Sequence, residues 1–443
     1  MIPRRYYIAL MIFLSCFYND MIKVNLSVNL VAMVPVTNNT VSANQRTISW
    51  SAYERALLLS SYSWGFLAGN LSGGYVGQRF SPKILMFIAI LGGGLMTLIS
   101  PTVAKLTYVG FLVIRIMIGY FGGIAFPLSH CLIANWATPN ERGIFVGALI
   151  SGSLGTFVSW TICGFVIDAF GWEWGFYAFT VFLPFVVALW WYLVYDTPSE
   201  HPTILPDEKE YLEDFVELNK EKPPKNRKVP TWKFLTSIPA ISLLILNFST
   251  GWGVHFVRQS IPSYVANGLG YDIKSTGYLS ALTYLLRPFS AFLIGGVADV
   301  VLKRKLMTLN LLRKVAVIFS HMIPGCGLLS MVYPNFPKIV YVMLLVVTMG
   351  LNGFVSITSA ANIHDLTANY AGALSGFPIS FITCAGIVTP IVTAHLIKED
   401  ETSLDLWRSV LYLAAAMYLF SGLQFIIFGS TKHQSWDKIE MEK

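Results

Sequence analysis

The chain has 443 residues, of which 54% are hydrophobic and only 12% charged, about half the roughly 25% charged share of an ordinary soluble domain. That deficit excludes most soluble enzymes. The formal charge of +7 does not point to nucleic acid either, because the basic residues collect in short loops between apolar runs, where they act as topology signals.

Apolar runs of about 20 residues, the length of helix that crosses a hydrocarbon layer of roughly 30 Å, recur from end to end. They predict spans at 6–34, 53–76, 84–104, 107–134, 143–167 and 174–195. A second group follows at 238–264, 276–299, 313–333, 338–361, 371–397 and 406–428. The expected fold class is an all-α polytopic membrane protein of 12 transmembrane helices in two six-helix bundles. The first run is too long for the apolar region of a signal peptide and lacks a small-residue cleavage site, so it is expected to stay as a span. The five cysteines, Cys16, Cys131, Cys163, Cys326 and Cys384, all fall inside apolar runs without CxxC spacing. Neither a metal site nor a disulfide framework is indicated.

The expected domains are an N-terminal bundle over 1–195, a cytoplasmic linker over 196–236, a C-terminal bundle over 237–429 and a cytoplasmic tail over 430–443. Acidic Asp207, Glu208, Glu210, Glu213, Asp214 and Glu217 open the linker, and basic Lys220, Lys222, Lys225, Arg227 and Lys228 close it. Between Asp207 and Leu218 the residues Tyr211, Leu212, Phe215 and Leu218 share one helical face, which predicts a short amphipathic helix on the membrane or against loop ends. The charge blocks read as a solvated face rather than a site.

With twelve crossings drawn, Arg4, Arg5, Arg79, Lys83, Arg142, Lys303, Arg304, Lys305, Arg313 and Lys314 fall on one side, which the positive-inside rule makes cytoplasmic. Both termini and the linker lie there too. The loop 35–52 then faces outward and carries the sequon at Asn38, on the side where glycosylation can occur. The two halves echo each other: Gly73-Gly74 with Arg79 and Lys83 after the second span answers Gly295-Gly296 with Asp299 and Lys303 after the eighth. A six-span internal repeat is the build of many secondary transporters, with the substrate at mid-membrane between the halves.

Ionisable residues inside spans are costly and therefore informative. Asp20 and Lys23 are three apart on one helical face of the first span; they form either a self-neutralising pair or part of a functional site. Arg115, eight residues into the fourth span, has no carboxylate within two turns on its own helix. Its fork of donors suits a carboxylate or phosphate, or else caps carbonyls of a neighbouring helix. Arg287 sits near the centre of the eighth span and is followed by Pro288, which frees backbone groups for a neighbour or a ligand. Arg258, three residues from His255, lies near the outer end of the seventh span, from where it can snorkel. His130, near the inner end of the fourth, reads as a hydrogen-bonded packing residue before a proton relay. Cations outnumber the single clear intramembrane carboxylate, Asp20, so the cavity is expected to attract anions. Gly92-Gly93-Gly94 is not followed by Lys-Ser or Lys-Thr and reads as close helix packing rather than a nucleotide loop. An ATP-driven pump is disfavoured.

Several strings carry a family resemblance: Val24-Asn25-Leu26-Ser27-Val28, Ser63-Trp64-Gly65 with Gly73-Gly74, Trp136-Ala137-Thr138-Pro139-Asn140-Glu141-Arg142, Gly171-Trp172 with Phe176-Tyr177, His201-Pro202-Thr203-Ile204, Ala298-Asp299, and Asn362-Ile363-His364-Asp365. Through them the chain resembles, almost end to end, the anion/cation symporter family of the major facilitator superfamily, with its sodium/phosphate cotransporter, sialin and vesicular glutamate transporter members. The resemblance implies alternating access by rocking of two six-helix bundles. It also implies that Arg115 matches the fourth-span arginine that contacts the anion, that Lys23 stands where relatives place a first-span basic residue, and that Arg79, Lys83 and Asp299 belong to the conformational loop motifs. Departures accompany it. The glutamate that proton-coupled members carry seven residues after that arginine is Gly122 here. The second-span histidine and seventh-span arginine of glutamate carriers fall on Leu59 and Thr250, and the loop aspartate on Gln78. These argue against a vesicular glutamate carrier.

The expectation is a secondary active transporter of small anions, phosphate or an organic anion such as a carboxylate or urate-like compound, and not an enzyme. Its substrate contacts are Arg115, Lys23 and Arg287. No cofactor is expected beyond Na+ as a coupling ion at Asp20 with Asn19 or Asn25; sodium is favoured over protons because Lys23 holds Asp20 ionised. The alternatives are a proton-coupled, sialin-like carrier of acidic sugars, and a non-transporting receptor or scaffold on the same fold. Its partners are the anion and membrane lipids, not nucleic acid. The plasma membrane is the favoured location, since the N-terminal residues and the tail after Phe428 carry no acidic dileucine signal; a lysosomal or vesicular membrane is the alternative.

Overall fold

A computed structural model describes residues 3–36, 48–77, 79–138, 141–218, 229–333, 336–367 and 369–437, among which every regular element is helical. Among the described residues eleven helices are long and apolar enough to cross a membrane: α1 (Arg4–Met33), α3 (Pro82–Leu106), α4 (Tyr108–Trp136), α5 (Gly143–Phe170), α6 (Trp174–Leu193), α7 (Ile238–Gly268), α8 (Ile273–Lys303), α9 (Leu309–Ser330), α10 (Lys338–Leu366), α11 (Gly376–Ile397) and α12 (Leu404–Phe428). Helix α2 (Ala52–Gly77) is equally long. Its hydropathy is diluted by Ser60, Ser61, Ser63, Asn70, Ser72 and its glycines. The twelve helices match the twelve expected spans, with α5 running three residues, α7 and α8 four and α10 five residues further at their C-terminal ends.

The starts of these helices are written in local chemistry. Ser51 and Glu54 form a reciprocal capping box at α2, the Ser51 N–H donating to Glu54 Oε2 at 2.8 Å and the Glu54 N–H to Ser51 Oγ at 3.2 Å. Ser81 caps α3 ahead of Pro82, Thr107 caps α4 and Asp272 caps α8 through their side-chain oxygens. Each satisfies a helix N–H group that would otherwise lack a partner.

By contact the chain divides into two units. One holds α1, α2 from Leu57, α3 to α6 and the linker helix Pro206–Leu218; the other holds Trp50–Ala56 and α7 to α12. In the first unit glycines bring α2 and α4 into backbone contact. A Cβ on Gly65 would stand 1.9 Å from the Ile116 carbonyl oxygen, on Gly69 2.2 Å from that of Tyr120, and on Gly119 2.1 Å from that of Tyr62. Small residues at such spacing let membrane helices approach and gain dispersion energy that lipid cannot supply. The same device seats the broken middle of α5 on α1, where Gly152 meets Cys16 and Gly155 the Phe17 carbonyl.

The linker helix is no solvated bystander. Glu208, expected on a solvated face, is 8% exposed; its carboxylate accepts the backbone N–H groups of Arg4 and Arg5 at 2.9 and 3.1 Å. It thereby caps α1, where a negative charge also meets the positive end of the helix dipole. Arg5 Nε donates to Glu141 at 3.0 Å and Nη1 to Glu208 at 3.3 Å, so the chain start, the α4–α5 loop and the linker meet at one end. Leu212 is buried while Tyr211 is exposed beneath Arg5. In the second unit the early tail is also anchored: Trp436 packs edge-on against Phe234, and the Asn369 N–H donates to Asp437 at 3.2 Å.

A direct test of the glycine contact is Gly65→Val against Gly74→Val, since a Cβ at Gly74 meets nothing within 4 Å. Gly65→Val is expected to destabilise by about 3 kcal/mol or more, the upper range of overpacking, and to lower the melting temperature in detergent. Gly74→Val should stay near the parent value.

Candidate functional site

In the first unit Arg115 is 2% exposed. Its Nη2 donates to the Lys23 carbonyl at 2.9 Å and its Nη1 to that of Ile22 at 3.4 Å. Its Nε is buried without a hydrogen-bond partner, and among the described residues no carboxylate pairs with it. The carbonyl-capping alternative is thus realised in the structure, with donor capacity left over. The Tyr62 ring lies 5.8 Å from the Arg115 guanidinium carbon and 5.2 Å from Lys23 Nζ, which also lies 5.3 Å from the Phe66 ring. Two cations therefore share one aromatic face region, within the range of cation–π attraction. Tyr62 reaches that place because Gly119 admits its backbone.

At Gly122, the position where the resemblance implies a glutamate, any side chain would have to displace the tips of Tyr62 and Asn19. A Cβ there would stand 2.4 Å from the Tyr62 hydroxyl and 2.8 Å from Asn19 Oδ1. Asn19 lines a small cavity with Ser15, Tyr18 and Phe121, and its amide approaches the Gly122 carbonyl at 3.5 Å. Asn25 is fully buried with neither amide atom hydrogen-bonded, and Asp20 is half-buried. At about 100° of rotation per residue these three candidate coupling residues occupy different faces of α1. The structure brings Asn19 to α4 but does not gather all three on one face.

The second unit holds a parallel centre. Arg287 Nη1 donates to the Tyr284 hydroxyl at 3.2 Å and Nε to Asn352 Oδ1 at 3.0 Å; no carboxylate pairs with it among the described residues. Asn352 in turn donates to the Tyr418 hydroxyl at 3.2 Å. The Tyr284 ring is 5.7 Å from the Arg287 guanidinium carbon and 4.8 Å from that of Arg258. Tyr62 and Tyr284 are 222 positions apart, as are Gly73 and Gly295, so the internal repeat carries the same ring with two cations beside it in each unit. The sequence reading missed both tyrosines, although that offset was available as a signal.

Arg258 does not snorkel. Helix α7 continues through a π turn to Gly268, which leaves Arg258 ten residues, about 15 Å of helix, below that end and 9% exposed. Also missed was His321, fully buried in a π turn of α9, its ring tilted against that of Tyr418 with centroids 5.1 Å apart. Thr250 gives its one hydroxyl proton to the Leu246 carbonyl at 2.9 Å and lies 3.1 Å from His321 Nε2. It therefore accepts from Nε2–H, and Nδ1 accepts from Ser320 at 2.8 Å.

Among the remaining candidates, His130 is exposed with Nδ1 3.0 Å from the Phe126 carbonyl of its own helix. Arg79 stacks 4.3 Å from the Tyr75 ring, and Lys83 Nζ lies 3.7 Å from the Tyr195 ring while its N–H donates to Asp196. Asp299 is exposed. Gln78 and the Asn38 sequon lie outside the described residues.

Two bundles of six long helices, each with cations inside its spans, are the architecture of a polytopic membrane protein. The chain matches the Major Facilitator Superfamily over residues 8–388 and belongs to it. It is similar to human sialin, 28% identical over 98% of this chain and 90% of the relative. It is also similar to vesicular glutamate transporter 1 of Xenopus tropicalis, 27% identical over 99% and 77%. Among solved structures, the xylose transporter XylE of E. coli aligns with a TM-score of 0.70 at 13% identity over 95% and 94% of the two chains. A D-xylose-proton symporter aligns with a TM-score of 0.71 at 17% identity over 97% and 99%. The protein is a multi-pass membrane secondary transporter related to sialin and the vesicular glutamate transporters, and not an enzyme.

Arg115→Lys keeps the charge but replaces a planar fork with a point charge, so one of the two α1 carbonyls loses its donor. Uptake is expected to fall at least tenfold with surface expression retained; parental uptake in this variant would remove Arg115 from the site.

Proposed function

We propose that this transporter carries small anions, phosphate or an organic anion, by alternating access with sodium as the coupling ion. The observation that carries the reading is the charge balance. Arg115 and Arg287 are guanidiniums inside spans that no described carboxylate neutralises. Such a group cannot shed its proton, and a carried anion supplies the missing charge. Arg115, Lys23 and Arg287 are the proposed substrate contacts, each beside a repeat-related tyrosine.

Sodium is favoured over protons on two grounds. The fourth-span glutamate position is Gly122, closed by Asn19 and Tyr62. Asp20, a carboxylate within α1, is one turn from Lys23 and offers the oxygen ligands that a hard cation takes. Asn19 or Asn25 with backbone carbonyls are the proposed further oxygen ligands. Similarity to human sialin supports the second reading, a proton-coupled carrier of acidic sugars. The plasma membrane is the proposed location.

The test is uptake of labelled phosphate, glutamate, urate and sialic acid into proteoliposomes, with and without an inward sodium gradient and, separately, a pH gradient. Sodium-stimulated uptake of at least one anion is expected, and Asp20→Asn should abolish the stimulation while protein yield is kept. Stimulation by the pH gradient alone would transfer the coupling to protons. Absence of flux for the whole panel would sink the carrier reading in favour of a receptor or scaffold.

A further inference from the structure

The loop that joins α8 to α9 breaks two local rules at once. Helix α8 ends at Lys303 in a left-handed cap: the Lys305 N–H donates to the Leu302 carbonyl at 3.0 Å and the Leu306 N–H to that of Val301 at 3.0 Å. The left-handed position is ordinarily a glycine, because a Cβ there crowds the following carbonyl. Lys305 holds it at φ 54°, the one non-glycine residue with positive φ among the described residues. The next residue of such a cap commonly packs back on the helix; Leu306 is instead 66% exposed, and Met307 and Leu311 are exposed as well. Lys303, Arg304 and Lys305 are also exposed, and among the described residues none of the three meets a carboxylate or an aromatic ring. The matching loop of the first unit spends its cations internally. There Lys83, 222 positions before Lys305, lies over Tyr195, and Arg79 over Tyr75. The dipole of α8 accounts for a cation in its last turn, but not for a lysine in the left-handed region. Asp299, exposed one turn before Lys303, still leaves the three cations two positive charges in excess.

We propose that this loop is a docking site for an anionic phospholipid, whose headgroup meets Lys303, Arg304 and Lys305 and whose acyl boundary takes Leu306 and Met307. Position favours that occupant. Both α8 and α9 are membrane spans, so the short connection 304–308 lies at headgroup depth. Cations at a bilayer surface attract anionic lipid, and an exposed leucine beside them buries apolar area that water would otherwise cover. The positive-inside rule places such cations on the cytoplasmic side, and the lipid is then one of the cytoplasmic leaflet. That rule requires neither a left-handed lysine nor an exposed leucine after it. A soluble anion would answer the charges but leave Leu306 and Met307 in water, so the occupant is a lipid. The site lies on the surface of the second unit and is independent of which anion the protein carries.

The probes are dioleoylphosphatidylserine and dioleoylphosphatidylcholine, equal in their chains and different in net charge. Each is added in graded mole fraction to the full-length protein in dodecyl maltoside micelles, and the melting temperature is followed. Half of the full stabilisation is expected at a phosphatidylserine fraction at least tenfold below that of phosphatidylcholine, and molar salt should bring this ratio towards one by screening the cations. A cation at a lipid surface is worth about fivefold in binding, so the triple change Lys303→Gln, Arg304→Gln and Lys305→Gln should lower the ratio below threefold. Arg304→Gln alone should lower it at least twofold, which keeps the test available if the triple variant fails to fold. Lys432→Gln, which removes another exposed cation of the same unit, should leave the ratio unchanged. Inorganic phosphate and glycerophosphoserine, which carry charge without chains, should not displace phosphatidylserine. Equal action of the two lipids, a parental ratio in the variants that fold, or a drop in Lys432→Gln as large as in Arg304→Gln would overturn the docking site. Displacement of the lipid by inorganic phosphate would overturn it too, in favour of a site for free anions.

Discussion

The governing constraint is a permanent positive charge placed inside a helical bundle. An arginine at mid-span keeps its proton, and the cost of holding it in a medium of low polarity falls only through hydrogen-bond acceptors, aromatic faces or an anion. Arg115 meets this with two α1 carbonyls and the Tyr62 ring. Arg287 meets it with an amide oxygen, a phenol and the Tyr284 ring. In neither case do neutral partners cancel the charge. They orient it, which under the proposed reading leaves each arginine able to meet an anion, whereas an unsupported one would destabilise the fold.

Much of the packing follows from that requirement. Carbonyls of α1 are within reach of Arg115 because α1 lies against α4, and Tyr62 is delivered to the same point because Gly65, Gly69 and Gly119 let α2 and α4 touch along their backbones. A side chain at any of the three would push the ring away from the guanidinium. In the second unit Gly353 does the equivalent service, its missing Cβ leaving room for Ser290 Oγ and the Arg287 carbonyl. The 3₁₀ segment Gly353–Ile357 in α10 and the π turn Ile318–Met322 in α9 interrupt the regular hydrogen-bond pattern beside this centre. Irregular backbone at membrane depth is tolerated only where protein or a cavity satisfies it, and such turns are common at functional sites.

The membrane-external ends obey different physics. Surface ion pairs are worth little in water, but Glu208 does more than pair with Arg5: one carboxylate meets two N–H groups at the start of α1 as well as the guanidinium. The linker helix is thereby part of the first unit. The bidentate Arg313–Asp365 pair, whose guanidinium also donates to the Ile357 carbonyl, ties α9 to α10 in the second. Thr250, the position on which the resemblance places the arginine of glutamate carriers, is held by neutral chemistry, its hydroxyl donating to the Leu246 carbonyl and meeting His321.

Apolar run length by itself determined the twelve helices, because a span must bury about 20 residues whatever it packs against. Helix starts at Ser51, Ser81, Thr107 and Asp272 were equally local, since a cap acts within one turn. The intramembrane cations Lys23, Arg115 and Arg287 stood out because each is expensive in an apolar run. What the sequence could not give was the company these residues keep. Tyr62 and Tyr284 look like ordinary span aromatics until helix packing sets cations over them. Glu208 looks like one of six linker acids until the α1 N-terminus arrives beside it. Arg258 looked free to snorkel until the π turn carried α7 on to Gly268. Each of these depends on contacts between residues far apart in the chain, and a period or a propensity has no means of encoding which helix becomes whose neighbour.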